Sequence, residues 1–333
     1  MNTRFFLYIL LILPVFFFSC EKEIKFNGDE IKNKLVLNGL LSPDSTVKIN
    51  LTESRFFLDD NEIFKNINNA KVDLWINDNK TSNLSNTGEG NYIGTYILKT
   101  GDNIRITASC DGFDPVECST GIVSPTPIIS ADTINYKENR SYYYQYEKGT
   151  AIIDSSSYYM TINFEMFITL KDPKDISNYY SLNLYLKYYF SNGDSLLLPV
   201  RYQSDDLVFQ TRNDPAFLDD EDYLKSTVFN DELFNGKEYK LKIKTNSWLG
   251  VNVGENPFDP GFVNQEIAGK EIIVELQSLS FGYYMYQKTL EAHSNLNNLM
   301  EYFSEPIQIY SNVKGGIGIL GSYSNSLYSI PLK

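Results

Sequence analysis

Nucleophilic or metal chemistry calls for histidine, cysteine or paired carboxylates, and this chain is sparing with the first two. His293 is the single histidine among 333 residues. A Ser-His-Asp triad would have to use it, and no G-x-S-x-G turn presents a serine nucleophile. A histidine-rich zinc site is excluded for the same reason, so His293 reads as a structural or exposed helix residue. The stretch "DPAFLDDEDY" gathers Asp214, Asp219, Asp220, Glu221 and Asp222. These are hard oxygen ligands of the kind calcium takes, but without the spacing of an EF-hand loop, and a solvated acidic loop is the expectation. No motif marks a pair of glycosidase carboxylates. In "GGIGILG", Gly316, Gly318 and Gly321 spell G-x-G-x-x-G. A dinucleotide site needs a helix directly after that motif, and "SYSNSLYSIPL" reads as a strand. These glycines are expected to let backbones approach closely. The residues therefore predict no catalytic group, no metal and no cofactor.

The three cysteines carry different chemistry. Cys20 ends the run "ILPVFFFSC". Arg4 supplies a positive start, and Phe5 to Phe18 form an apolar stretch of 14 residues, too short to cross a bilayer about 30 Å thick. It has the length of a secretory signal ending at the small residue Ser19. Residues 1–19 are expected to be removed, leaving Cys20 as the lipidated N-terminus of a bacterial lipoprotein. Two or three acyl chains there would hold the protein on a membrane. Cys110 and Cys118 lie in "TASCDGFDPVECSTG", in a chain expected to mature outside the reducing cytoplasm. A five-residue hairpin loop would leave them diagonal and marginally too far apart. A seven-residue loop from Asp111 to Glu117 would set them directly opposite, within bonding range. The second geometry is expected, with a structural disulfide.

Elements to position these residues are nearly all strands. Val72, Leu74 and Ile76 alternate in "AKVDLWIND", as do Ile104, Ile106 and Ala108 in "DNIRITAS", the pattern of half-buried antiparallel strands. "KLVLNGLL", "TVKINLTES" and "NYIGTYILK" add more between turn sequences. Residues 34–122 are expected to form an Ig-like β-sandwich of about seven strands. The stretch from Gly88 to Phe113 is similar to transthyretin-like and carboxypeptidase-regulatory-like sandwiches. Pro125 and Pro127 then hold the chain extended. Residues 128–333 are expected to form a larger antiparallel β domain. Its first strand lines up Met160, Ile162, Phe164, Met166, Ile168 and Leu170; its second lines up Tyr180 to Phe190 at even positions. Pro199 suggests an edge strand. One helix is expected, with Leu279, Tyr283, Tyr286 and Leu290 on one face.

Composition narrows the partners. The formal net charge is −13, which makes nucleic acid a poor partner. With 42% hydrophobic residues the chain can build a real core. Tyrosine totals 25, clustered in the second half. The outward set there, Tyr185 and Tyr189 beside Asn183 and Lys187, could stack on a glycan or pack against a peptide or protein, because aromatic faces are rigid and amphipathic.

The blocks "CEKEIKF", "KLVLNGLLSPDSTVKINLTES", "ISNYYSLNLYL", "VFNDELFNGKEYKL", "LQSLSFGYYMYQKTLE" and "EPIQIYSNVKGGIGILGSYS" together resemble the domain of unknown function 4249 family, over essentially the whole mature chain. The resemblance implies a lipid-anchored outer-membrane protein of Bacteroidota, often encoded beside a TonB-dependent receptor. It implies no activity. In that phylum Glu21, Lys22 and Glu23 after the lipidated cysteine resemble a surface-export signal. The expectation is a tethered, non-enzymatic, ligand-handling accessory of such a receptor, facing the cell exterior, with residues 20–33 as the tether. The alternatives are a surface adhesin or polymer-binding module, and a cryptic carboxylate-dependent hydrolase.

Overall fold

Alternating sequence becomes alternating burial throughout the computed structural model. It describes residues 32–55, 64–147, 150–209, 227–245, 250–253, 262–263, 267–299 and 308–332. Cys20, Glu21, Lys22, Glu23 and the acidic run 214–222 lie outside the described residues. The architecture is mainly β, with several antiparallel sheets and, among the described residues, one α-helix. In chain order the first strands are β1 (Leu35–Leu41), β2 (Thr46–Glu53), β3 (Lys71–Ile76), β4 (Asn79–Asn83), β5 (Ser85–Gly88), β6 (Asn91–Ile97), β7 (Asn103–Ser109) and β8 (Val116–Gly121). Then come β9 (Ile128–Glu147), β10 (Thr150–Lys171), β11 (Tyr179–Phe190), β12 (Ser195–Pro199), β13 (Val228–Asn230), β14 (Glu238–Lys244), β15 (Gly250–Val253), β16 (Phe262–Val263) and β17 (Ile267–Leu279). The helix α1 (Phe281–Leu299) and a last strand β18 (Ile317–Leu332) follow.

Nine strands make one sheet, in the order β12-β11-β17-β18-β1-β2-β6-β5 with β13 beside β11. Strand β18 joins its halves. Its first part runs parallel to β1, from Val36↔Ile317 to Leu41↔Ser322, and its second part runs antiparallel to β17, from Leu279↔Tyr323 to Lys270↔Leu332. Two smaller sheets cover this one. The sheet β4-β3-β7-β8 encloses a first core that includes Leu37, Leu51, Leu74, Ile106 and Leu320. The sheet β14-β10-β15-β16, with β9 paired to β10, covers a second that includes Ile162, Met166, Leu184, Tyr188 and Val274. Side chains of successive strand residues point to opposite faces. Even-numbered positions of β18 supply Leu320 to the first core and Tyr328, Ile330 and Leu332 to the second, so both covering sheets lie on the same face of the nine-stranded sheet. Pro199 ends β12, the edge strand of that sheet, as its missing donor requires.

The glycine run carries β18 into place, as strand rather than as a cofactor turn. A Cβ at Gly316 would lie 2.4 Å from the Leu35 carbonyl oxygen, and one at Gly318 only 2.1 Å from that of Leu37. Gly318 also has φ +121°, a conformation that disfavours other residues. A Cβ at Gly321 would come 2.7 Å from the Cβ of Tyr283. The three glycines therefore let β1 and α1 close on the strand from different sides.

Helix α1 starts two residues later than the sequence periodicity suggests. Leu279 is the last residue of β17, and Ser280 caps the helix, its carbonyl accepting from the Tyr284 N–H at 2.9 Å. The buried helical face carries Tyr284, packed with Leu279 and Val228, while Leu290 is 37% exposed. His293 sits on the helix, half-buried.

The expected disulfide is corrected by the register of β7 and β8. Cys118 stands opposite Ile106, and Val116 opposite Ala108, so the loop runs from Ser109 to Pro115. This is neither of the two hairpins considered from sequence. Cys110 lies four residues along the strand from Cys118's partner, roughly 13 Å at about 3.3 Å per residue, beyond the ~7 Å limit for a disulfide. Both thiols are free. Cys118 is buried in the first core, and burial pushes its thiol up to about 12. The Cys110 thiol donates to Asn69 Oδ1 at 3.3 Å.

The proline-bearing stretch 121–127 is tied down rather than loose. The Ser322 hydroxyl donates to the Gly121 carbonyl at 2.5 Å, and that of Ser324 to the Val123 carbonyl. The Thr126 N–H donates to Ser278 Oγ at 3.0 Å. Small serines on β17 and β18 let this segment pass close to the sheet while satisfying its backbone.

Candidate functional site

The face of the nine-stranded sheet away from both cores is covered only in part. Helix α1 crosses it over β18: Tyr283 rests on Gly321, and Tyr284 stacks on Tyr179 of β11 at a centroid distance of 4.8 Å. Among the described residues this leaves open face on each side of the helix.

On one side, β12, β11, β17 and the second half of β18 present Leu197, Tyr185, Tyr189, Glu271, Glu275 and Leu327. Both tyrosines singled out from sequence point outward, Tyr185 half-buried and Tyr189 exposed. Their hydroxyls are engaged. Tyr185 donates to Glu275 Oε2 at 3.2 Å, and Tyr189 donates to Glu271 Oε1 at 2.5 Å. Glu275 also accepts from Asn183 at 3.2 Å and from Asn325 at 2.8 Å. Lys187 Nζ stands 4.8 Å from the Tyr189 ring centroid. Burial and then Glu275 raise the Tyr185 pKa, keeping the phenol a donor at neutral pH.

On the other side lies a groove of about 610 Å³, within the range of small-molecule sites. Strands β1, β2 and β6 form its floor and α1 one wall. Asn38 of β1 is paired with Asn50 of β2, and Asn50 with Asn91 of β6. Three asparagines thus stand in one row across three adjacent strands, with spacings of about 4.8 Å. Asn50 Nδ2 donates to Asn91 Oδ1 and to the Glu89 carbonyl, both at 3.0 Å. Among the described residues the Asn38 amide has no partner, nor do Asn50 Oδ1 and Asn91 Nδ2. Leu40, Ile93 and Lys48 flank the row. Tyr283 and Tyr286, one helical turn apart, line the wall. Burial raises the Tyr283 pKa, so its hydroxyl keeps its proton.

Sequence reasoning singled out neither this groove nor its asparagines. A signal was present: asparagine is disfavoured in strands, yet Asn38 and Asn50 each sit among aliphatic residues in "LVLNGLL" and "KINLTE". Pairing them required knowing the register.

A second polar cluster was also missed. Asp172 and Asp231 are 3% and 2% exposed. Asp172 accepts from the Tyr180 hydroxyl at 2.5 Å and the Gly236 N–H at 2.7 Å. Asp231 accepts from the Asn178 N–H at 3.0 Å and from Asn235 at 2.9 Å. Burial raises the Asp172 pKa, against the lowering effect of Tyr180 and Gly236. These carboxylates hold two turns together and open on no described cavity. The described residues contain no group of three or more His, Cys, Asp or Glu side chains that could hold a metal ion, and none of their helices is long and apolar enough to cross a membrane.

The blocks that build these features span the chain. Asn38 and Asn50 come from "KLVLNGLLSPDSTVKINLTES", Asp172 and Asp231 flank or fall in the blocks around β11 and β13, and Tyr283, Tyr286 and Gly321 belong to the last two. No curated protein matches the chain. The family model described as "Domain of unknown function (DUF4249)" matches residues 21–329, nearly the whole length, and the chain belongs to that family.

Proposed function

We propose that the protein is a lipid-anchored outer-membrane protein that handles a ligand at the cell exterior, without chemistry of its own, as the accessory of a TonB-dependent receptor. The observation that carries the ligand-handling part is the groove beside α1, where tyrosine faces and amide atoms without a partner among the described residues line an open concavity. Such a lining recognises and orients; among the described residues it brings no histidine, cysteine or carboxylate side chain to the groove. Anchoring rests on the 14-residue apolar run ending at Ser19-Cys20, and outward display on Glu21, Lys22 and Glu23 beside the anchor.

Fractionation of cells tests the anchor. Cys20→Ala should leave the signal uncleaved or release the protein from membranes, and intact cells expressing the native chain should lose it to added protease. Replacing Glu21, Lys22 and Glu23 by alanine should protect it. Detergent-solubilised membranes should yield a large β-barrel receptor co-purifying with the native chain. Normal retention of Cys20→Ala, or purification without a receptor, would refute the corresponding part.

A further inference from the structure

We propose that the groove beside α1 binds a short neutral oligosaccharide, laid across β1, β2 and β6 along the row Asn38-Asn50-Asn91. This deepens the ligand-handling reading and rests on it. Sugar hydroxyls act at once as donor and acceptor, and an amide side chain offers one of each on a single rigid plane. The row presents that pairing repeatedly. Asn38 offers its whole amide, Asn50 an acceptor and Asn91 a donor, spread over about 10 Å, or two strand spacings. The bond from Asn50 to Asn91 fixes which end of each amide faces the groove, so the two are oriented before a ligand arrives. Preorganised donors and acceptors lose less entropy on binding.

The wall supplies the other half of sugar recognition. A pyranose is polar around its rim and carries C–H groups on its faces, which pack on aromatic rings. Tyr283 and Tyr286 give two aromatic surfaces one turn apart, and Tyr283 is held in place by contact with Gly321. Leu40 and Ile93 extend the apolar lining. Charge argues for a neutral sugar. Among the described residues of the lining Lys48 is the one basic group and none is a carboxylate, and the protein as a whole carries −13. An acidic polysaccharide would meet one cation against a repelling field. An extended peptide would seek the free edge of a sheet for its backbone, whereas this groove lies on a sheet face whose strands are already paired.

The test uses the full-length protein in detergent on an array of neutral hexose and N-acetylhexosamine di- to hexasaccharides, with uronate oligosaccharides and unstructured peptides alongside. Binders are then titrated by calorimetry. The expected result is retention of at least one neutral class. Asn38→Ala, at an exposed position whose side chain makes no bond among the described residues, should weaken it about fivefold or more. Tyr286→Ala should weaken it tenfold or more, and Tyr286→Phe should restore most of the loss because the ring face is kept. Thr81→Ala, on the small covering sheet, should bind normally. Retention of no neutral sugar, preference for uronates or peptides, or binding indifferent to Asn38 and Tyr286 would overturn the proposal. If the protein is nonetheless anchored by Cys20 and co-purifies with a receptor, the accessory role stands and only the ligand assignment falls.

Discussion

Cys110 and Cys118 show how two identical side chains eight positions apart acquire opposite properties. Cys118 faces the first core, where desolvation favours the neutral thiol; Cys110 is half-buried at the end of β7. Brief alkylation of the native protein should therefore label Cys110 alone, with Cys118 reacting only after denaturation. Mass spectrometry without reduction should find no linked peptide, and a Cys110–Cys118 bond would contradict the register. Glu138 of β9 and Lys270 of β17 make a different residue-level tie, an ion pair joining the two layers around the second core, with side chains 19% and 12% exposed. Burial opposes ionisation of Glu138, but Lys270 and Arg140 outweigh it and hold its pKa below the ordinary 4.5. A depressed carboxylate pKa contributes stability above the unfolded-state pKa, and that contribution is lost as pH falls through the folded one. Lys270→Met should cost about 1 to 3 kcal/mol at pH 7, less than a fully buried pair because water still reaches both groups. Urea titrations should show the deficit shrinking below about pH 4.5; a deficit independent of pH would refute the electrostatic account.

At the scale of elements, the glycines of β18 matter because a parallel strand has to fit between neighbours already in place. Gly318→Ala would put a Cβ against the Leu37 carbonyl in a left-handed conformation, which should cost at least about 2 kcal/mol, read as a lower denaturation midpoint. A neutral result would mean that β1 and β18 do not pair as described. Much of this level was legible beforehand. Alternation alone locates β3, β7, β10 and β11, Pro199 marks an edge, and strand character after Gly321 excludes a dinucleotide turn. What escaped was whatever depends on partners distant in sequence. The cysteine pairing failed because the loop length of a hairpin shifts register, and spacing within one segment does not reveal it. The helix start was misplaced because Leu279 continues the apolar spacing of α1 while its backbone still pairs with Tyr179 and Tyr323. The asparagine row stayed hidden because Asn38, Asn50 and Asn91 become neighbours only through two strand registers.

For the molecule as a whole, β18 makes two cores depend on one strand. Its even positions feed Leu320 into one and Tyr328, Ile330 and Leu332 into the other. Leu320→Ala should remove about 2 to 5 kcal/mol, and hydrogen exchange should report the loss on both sides. Amides of Leu51 in the first core and Met166 in the second should exchange faster by similar factors under conditions of global opening. Acceleration confined to Leu51 would mean that the cores unfold separately.

The parallel pairing of β1 with β18 also sets the timetable of folding. Val36 meets Ile317, about 280 residues later in the chain. While the polypeptide is being made or threaded across a membrane, β1 has β2 on one side and nothing on the other until the final strand arrives. Contacts of such long sequence separation close slowly, and an open strand edge invites pairing with other chains in the meantime. A protein built this way passes through an unfinished sheet, and a holding chaperone would be needed most in the interval before β18 emerges.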